Sequence, residues 1–315
     1  RLARMKDAKD ARQLGDERRA ILVRRALDVD PNVRLAALAA LEPFEPADPV
    51  ITQEIMDVTL RSQDWGLQRQ ALVLAGAWKI DSELPTVMRF VQQGAPDVFP
   101  EAAAAIVKMR GDFGIALLDE AARSADWTRR AAVADALHGE GLGSSKAAIA
   151  MQDALLKDPD PRVVASALDA ATSGGREDAA VVALAHLGAT DPVVRAVAAQ
   201  SLPKLVGRGI TRDEAAAALR RAWRESAGDA TTDARITTLE ALHEALGPDA
   251  RADLLAGASD RDWTVRMKAQ ALGAGTGLPP LGTASLGRPL TFYLERARDE
   301  MASRPAFLRF DTERG

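Results

Sequence analysis

Metal sites, nucleophiles and phosphate cradles are built from histidine, cysteine, glycine clusters and paired carboxylates, and this chain offers few of them. Its three histidines, His138, His186 and His243, stand far apart, and no His-x-x-x-His or Glu-x-x-His pair joins them to one another. No helix can therefore present two histidine ligands on one face. Cysteine is absent, which removes disulfides, thiol nucleophiles and cysteine-bound metals. Gly139-Glu140-Gly141-Leu142-Gly143-Ser144-Ser145-Lys146 has the glycine density of a phosphate loop. It lacks the Gly-Lys-Ser/Thr order and a preceding strand, so it reads as a flexible turn between helices. No Ser/His/Asp order or acid pair stands out. Trp65, Trp127 and Trp263 share one recurring position, where an indole covers a seam between units. Trp78 and Trp223 fall outside that register and are the candidate surface-binding residues. No catalytic residue, metal ligand or cofactor is assigned.

The elements that would carry such residues are set by a repeated phrase. Asp30-Pro31-Asn32-Val33-Arg34-Leu35-Ala36-Ala37-Leu38-Ala39-Ala40-Leu41 recurs most clearly from Asp191 to Leu202, and Asp160-Pro161-Arg162-Val163 opens another copy. Trp replaces Pro in Asp64-Trp65, Asp126-Trp127 and Asp262-Trp263, and the copies near Val98 and Ala234 lack the Asp. The starts lie near residues 30, 64, 95, 126, 160, 191, 230 and 262, a spacing of about 33. Asp accepts from the first free N–H groups of a helix, and Pro at the next position loses nothing by having no N–H. Val33, Ala37, Ala40 and Leu41 then share one helical face, with small Ala allowing close approach. Each unit reads as two helices, this one first. The second carries Val50, Ile51, Ile55, Met56, Val58 and Leu60 as its apolar stripe.

The phrase Asp-Pro-x-Val-Arg-x-x-Ala-x-x-Ala-Leu, once per unit, resembles the HEAT repeat, in the short bacterial form shared with phycocyanobilin-lyase-type proteins. The resemblance spans about residues 17–275. It implies an all-α fold: a right-handed α-α superhelix, or solenoid, of about eight two-helix units, followed by a short extended C-terminal tail. It also implies a ladder between turns, and caps, formed by Asp30, Asp126, Asp191 and Asp262 with Arg34, Arg130, Arg195, Arg235 and Arg266. That ladder is expected to lapse where Gln68, Phe99 and Val164 replace the Arg. The second helices are expected to line a concave face that holds a protein or extended peptide.

Composition agrees with closely packed helices: 47% hydrophobic, 4% aromatic, 27% charged. The net charge of −4 disfavours a broad nucleic-acid surface. The basic clusters Arg18, Arg19, Arg24, Arg25 and Arg220, Arg221, Arg224 read as solvated helix faces. No apolar run is long enough to span a membrane. A monomer is expected. The excess of Arg over Lys, with abundant Ala, suggests a bacterial source. The chain starts with Arg1, so it reads as a fragment or processed product, and its compartment stays open.

The expected organisation is a solenoid over 1–275, a Gly/Pro linker over 276–287, a connecting helix over 288–303, and the start of a further domain over 304–315. Phe310-Asp311-Thr312-Glu313-Arg314-Gly315 resembles the first strand and turn of bacterial cyclophilin-type peptidyl-prolyl isomerases, which implies that such a domain follows. None of that family's catalytic residues falls in the chain, so no enzyme is expected in the residues present. The leading functional reading is a protein-binding scaffold attached to that isomerase. The alternatives are a bilin-lyase-type protein cradling a tetrapyrrole, which needs a deep apolar or aromatic groove, and a HEAT-like DNA glycosylase, which needs a positive concave face.

Overall fold

A computed structural model describes residues 8–44, 46, 48–139, 141–275, 277–278 and 290–302. The helices are α1 (Ala8–Arg25), α2 (Pro31–Leu41), α3 (Pro49–Leu60), α4 (Trp65–Ala77), α5 (Leu84–Gln93), α6 (Phe99–Arg110), α7 (Asp112–Ala116), α8 (Trp127–Ala136), α9 (Lys146–Leu155), α10 (Pro161–Ser173), α11 (Ala179–His186), α12 (Pro192–Leu205), α13 (Arg212–Glu225), α14 (Asp233–Leu246), α15 (Arg251–Ala258), α16 (Trp263–Leu272) and α17 (Leu290–Ala302). No strand occurs among the described residues, only an isolated bridge between Val206 and Ile210. The chain is an all-α solenoid, as the repeats require. Packing divides it between Asp253 and Leu254. The expected linker from 276 and tail from 304 lie almost wholly outside the described residues.

The repeated phrase opens every even-numbered helix from α2 to α16. These are called motif helices below, and the odd-numbered helices up to α15 companion helices. Asp30, Asp64, Asp126, Asp160, Asp191 and Asp262 each sit at the cap with extended ψ, and each accepts from a backbone N–H two residues on. The copies without Asp, α6 and α14, start without a side-chain cap.

Up to Asp253, the motif helices α2, α4, α6, α8, α10, α12 and α14 pack directly and successively on one another. Their alanines make this possible: Ala37, Ala71, Ala75, Ala102, Ala105, Ala132, Ala167, Ala170, Ala198 and Ala199 are buried. Gly76 marks the closest approach, since a Cβ there would lie 2.8 Å from Ala105 Cα. Close packing between companion helices is confined to α7 and α9. A stack with one tight and one spread layer bends toward the tight layer. The motif helices are thus the inner layer of this unit. This reverses the expected assignment of the concave face to the second helices, because small residues draw the motif helices together.

The phase of the pair also changes. Most companion helices pack against the motif helix that follows, as α3 on α4, α5 on α6, α11 on α12 and α13 on α14, whereas α7 packs against the preceding α6. The tight turn before each capping Asp makes that hairpin. In α3, Ile55, Met56 and Leu60 are buried as expected, but Val50, Ile51 and Val58 are exposed. The buried set is completed by Thr52 and Thr59, which keep the helical spacing that Val50 and Val58 do not.

Candidate functional site

Every expected ladder residue can now be located. Asp30, Asp126, Asp191 and Asp262 cap their own helices, at 2.8, 2.9, 2.8 and 2.8 Å. The arginine four residues on works inside the hairpin. Arg34, Arg130, Arg195 and Arg266 donate through Nη1 to the carbonyls of Asp28, Ser124, Ala189 and Asp260, at 3.0, 2.7, 2.7 and 2.6 Å. Each carbonyl lies six residues back, so the arginine clamps the turn that joins the companion helix to its motif helix. Gln68 does not break the series: its Nε2 donates to Ser62 O at 2.7 Å, the equivalent carbonyl. Arg235 is buried in α14.

The links between successive turns run through different carboxylates. Arg130 forms a two-pronged pair with Asp158 of the next unit, Nε–Oδ2 2.6 Å and Nη2–Oδ1 2.9 Å. Arg195 pairs with Asp229 of the next unit. The cap residues Asp126 and Asp191 are not the acceptors. The geometric reason is that their carboxylates are turned onto their own helix N–H groups. Burial raises the Asp158 pKa, but the Arg130 guanidinium and the Asp160 N–H outweigh it and hold the carboxyl below its usual range. Asp158 also orders the turn, since its Oδ1 accepts from Asp160 N at 2.9 Å. Asp28, Ser62, Ser124 and Asp260 do the same before the caps at 30, 64, 126 and 262. Before five of the six capping aspartates the signal is therefore Asp/Ser-x-Asp-Pro/Trp, the exception being Ala189 before Asp191, and the first position is not part of the repeated phrase read from the sequence.

Where the clamp is missing, arginine–aromatic stacking crosses the seam. Arg129 lies 4.1 Å over the buried Phe99 ring and donates to Val91 O at 2.8 Å. Arg162, two residues before Val164, lies 3.4 Å over Trp127 while gripping Asp160 at 3.0 and 2.7 Å. This grip lowers the Asp160 pKa to about 2. Trp65 carries Arg69 at 5.6 Å and Trp263 carries Arg266 at 5.4 Å. The recurring tryptophan thus stacks on arginine, across a seam at Trp127 and within its own helix at Trp65 and Trp263.

The candidate surface residues fare differently from expectation. Trp78 packs partly buried against the core, and its indole N–H donates to Phe44 O at 2.7 Å. Its polar handle is engaged by its own chain, so it anchors the α2–α3 connection. Trp223 is half-buried on α13.

One constellation appears that sequence order did not reveal. His138 at the end of α8 meets Ser173 and Asp169 of α10, with Nδ1 to Ser173 Oγ 3.0 Å and Nε2 to Asp169 Oδ2 3.6 Å. Its chemistry is not nucleophilic. Ser173 donates its proton to Asp169 O at 2.7 Å and sits at a helix C-terminus, where the macrodipole opposes an oxyanion. His186 Nδ1 donates to Val182 O at 2.8 Å, and His243 Nδ1 is buried without a hydrogen bond among the described residues. The histidines lie apart, and no group of three potential metal ligands occurs among the described residues.

The glycine turn is tightly packed. Gly143 N donates to Gly174 O at 2.9 Å, and a Cβ at Gly143 would lie 2.3 Å from Gly175 C. Gly143 lets two turns touch, while Gly141 holds the left-handed conformation at φ 85°.

Cavities occur on both layers. On the companion layer, one of about 400 Å³ is lined by Ile115, Met151 and Asp119, one of about 690 Å³ by Gln92, Glu120 and Arg129, and one of about 360 Å³ by Gln53, Glu83 and Arg89. On the inner layer, a dent of about 180 Å³ lies between α4 and α6, with Val73, Glu101 and Lys108 around it. No helix among the described residues is long and apolar enough to cross a membrane.

No family model and no curated protein matches the chain. Several solved structures are distantly similar, three of them as follows. An engineered protein is 18% identical with a TM-score of 0.37, over 81% of this chain and 77% of its own. The complex of CpcE and CpcF of phycocyanin lyase from Nostoc sp. is 15% identical with a TM-score of 0.40, over 72% and 94%. Human deoxyhypusine hydroxylase in complex with glycerol is 17% identical with a TM-score of 0.34, over 83% and 96%. At this distance the solenoid rests on its own helix packing, and no residue role is transferred.

Proposed function

We propose that the chain is a protein-binding scaffold whose motif-helix layer receives an extended segment of another protein. The observation that supports this is the close-packed motif-helix layer, which carries the exposed apolar residues Leu35, Trp65 and Val193. None of these three serves the core, and each stands on a rigid helix held by caps and clamps. Companion helices expose apolar residues too, among them Val50, Phe113 and Val181, so the layers are separated by the following crosslinking comparison. A photo-crosslinking residue at Leu35 tests the reading, with one at the exposed Val181 of companion helix α11 as control. Crosslinks to a discrete protein from position 35 alone support it. Equal labelling from both positions, or none, overturns it.

A finer proposal attaches this scaffold to a cyclophilin-type isomerase. It rests on the phrase from Phe310 to Gly315, which lies outside the described residues, and a prolyl-peptide isomerisation assay of the whole gene product tests it. The bilin reading gains no support from the cavities described, none of which is lined by an aromatic residue. An absorbance titration with a bilin tests that alternative. A DNA mobility shift at moderate salt tests the glycosylase reading, and light scattering tests the expected monomer.

A further inference from the structure

The dent of about 180 Å³ between α4 and α6 lies on the motif-helix layer, and its walls are mostly apolar: Val73 from α4, with Pro100, Ala104 and Ala105 from α6. Gly76 and Ala105 bring the two helices into close contact there, so the hollow belongs to a packed layer and not to a loop. Its polar groups are Glu101 and Lys108, seven residues apart on α6. Seven residues of helix rise about 10 Å, a span that an extended peptide covers in about three residues.

Glu101, 15% exposed, is held from α4 through one oxygen only. Arg69 Nε donates to Oε1 at 2.7 Å, and Arg69 Nη2 pairs with the same oxygen. The other oxygen, Oε2, is shielded from solvent and has no hydrogen bond among the described residues. A shielded acceptor left open is unfavourable until a donor reaches it. The carboxylate torsion of a glutamate is soft, so the group can swing to meet one. Arg69 already balances the charge, so a neutral N–H fits the open oxygen better than a second cation. At the other end Lys108 is exposed and has no ion pair or hydrogen bond among the described residues. A neutral N–H, a small apolar side chain and a carbonyl in sequence are the repeating groups of an extended peptide.

We propose that this dent seats a small aliphatic side chain from an extended segment of a partner protein. The N–H of the seated residue donates to Glu101 Oε2, and a carbonyl further along accepts from Lys108. The proposal rests on the scaffold reading and deepens it, by naming what the motif-helix layer recognises. A short peptide separates the two, because it needs no partner protein. N-acetyl-alanyl-valyl-alanine methylamide is titrated into the chain labelled at its alanine and valine methyl groups, and Val73, Ala104 and Ala105 are followed by NMR. The comparison peptide carries a methyl group on the valine nitrogen.

The expected result is a saturable shift at these three residues, with binding at least fivefold weaker for the N-methylated peptide. In Glu101→Ala that preference disappears. In Ala104→Leu, where a larger side chain fills the dent from a half-buried position, binding is lost, and in Lys108→Ala it weakens at least threefold. The N–H preference is read on the unaltered chain, so it stands even if a variant fails to fold. No saturable shift, equal binding of the two peptides, or unchanged binding in folded Ala104→Leu or Lys108→Ala overturns the proposal. A discrete crosslinked protein at position 35 without peptide binding in the dent keeps the scaffold reading and overturns this one.

Discussion

Lys79 is the only non-glycine residue with positive φ among the described residues, at 50°. It follows α4, where Ile80 N returns to Ala75 O at 3.1 Å and closes the helix end. A side chain in that conformation is strained, and glycine is the usual occupant. Lys79→Gly is expected to stabilise the chain by about 0.5–1 kcal/mol, measured by urea unfolding. Arg130 has the opposite role. Its removal leaves Asp158 nearly buried without its cation, and Arg130→Ala is expected to cost about 3 kcal/mol in the same measurement. Asp160 sets a pH limit. Its folded pKa, about 2, lies below the ordinary 3.8. Its contribution is therefore complete above pH 4 and is lost as pH falls through about 2. Asp160→Asn should flatten that part of the acid-unfolding curve, and an unchanged curve would contradict the assignment.

At the scale of the helix, glycine and alanine decide what fits. Gly76→Ala would press a methyl into Ala105, and Ala198→Leu would overfill a fully buried position. Each is expected to cost about 1–3 kcal/mol in thermal or chemical unfolding. The helices themselves were legible in the sequence because caps and apolar spacing are local signals. The pairing was not. The phrase marks where a motif helix begins, but which neighbour it pairs with depends on turn length and the arginine clamp. Gln68 shows the same limit: as a letter it departs from the repeat, yet its amide reaches the carbonyl that arginine reaches elsewhere. The contact of His138 with Ser173 and Asp169 escaped for a related reason, since it joins two units and has no fixed spacing within one.

Across the whole molecule, each pair of helices leans mainly on its neighbours, so stability is distributed along the array. Hydrogen exchange should show this. Gly76→Ala is expected to speed exchange in α4 and α6 while leaving α12 and α14 close to the unaltered protein, whereas a uniform increase would indicate one cooperative core. The class of fold was readable from periodicity, but the surface used for binding was not. Which layer faces inward depends on the summed close approach of alanines across units, and no single copy of the phrase contains it.

The clamped turns have a practical consequence for engineering. Their carbonyls and N–H groups are committed at fixed separations, six and two residues from their partners. An inserted residue there would uncouple two bonds at once. The connections at the other end of the hairpins follow no such rule, running from the single residue Gly111 between α6 and α7 to the stretch 137–145 between α8 and α9. Tags, fluorophores or grafted loops therefore belong at that end rather than in the clamped turns.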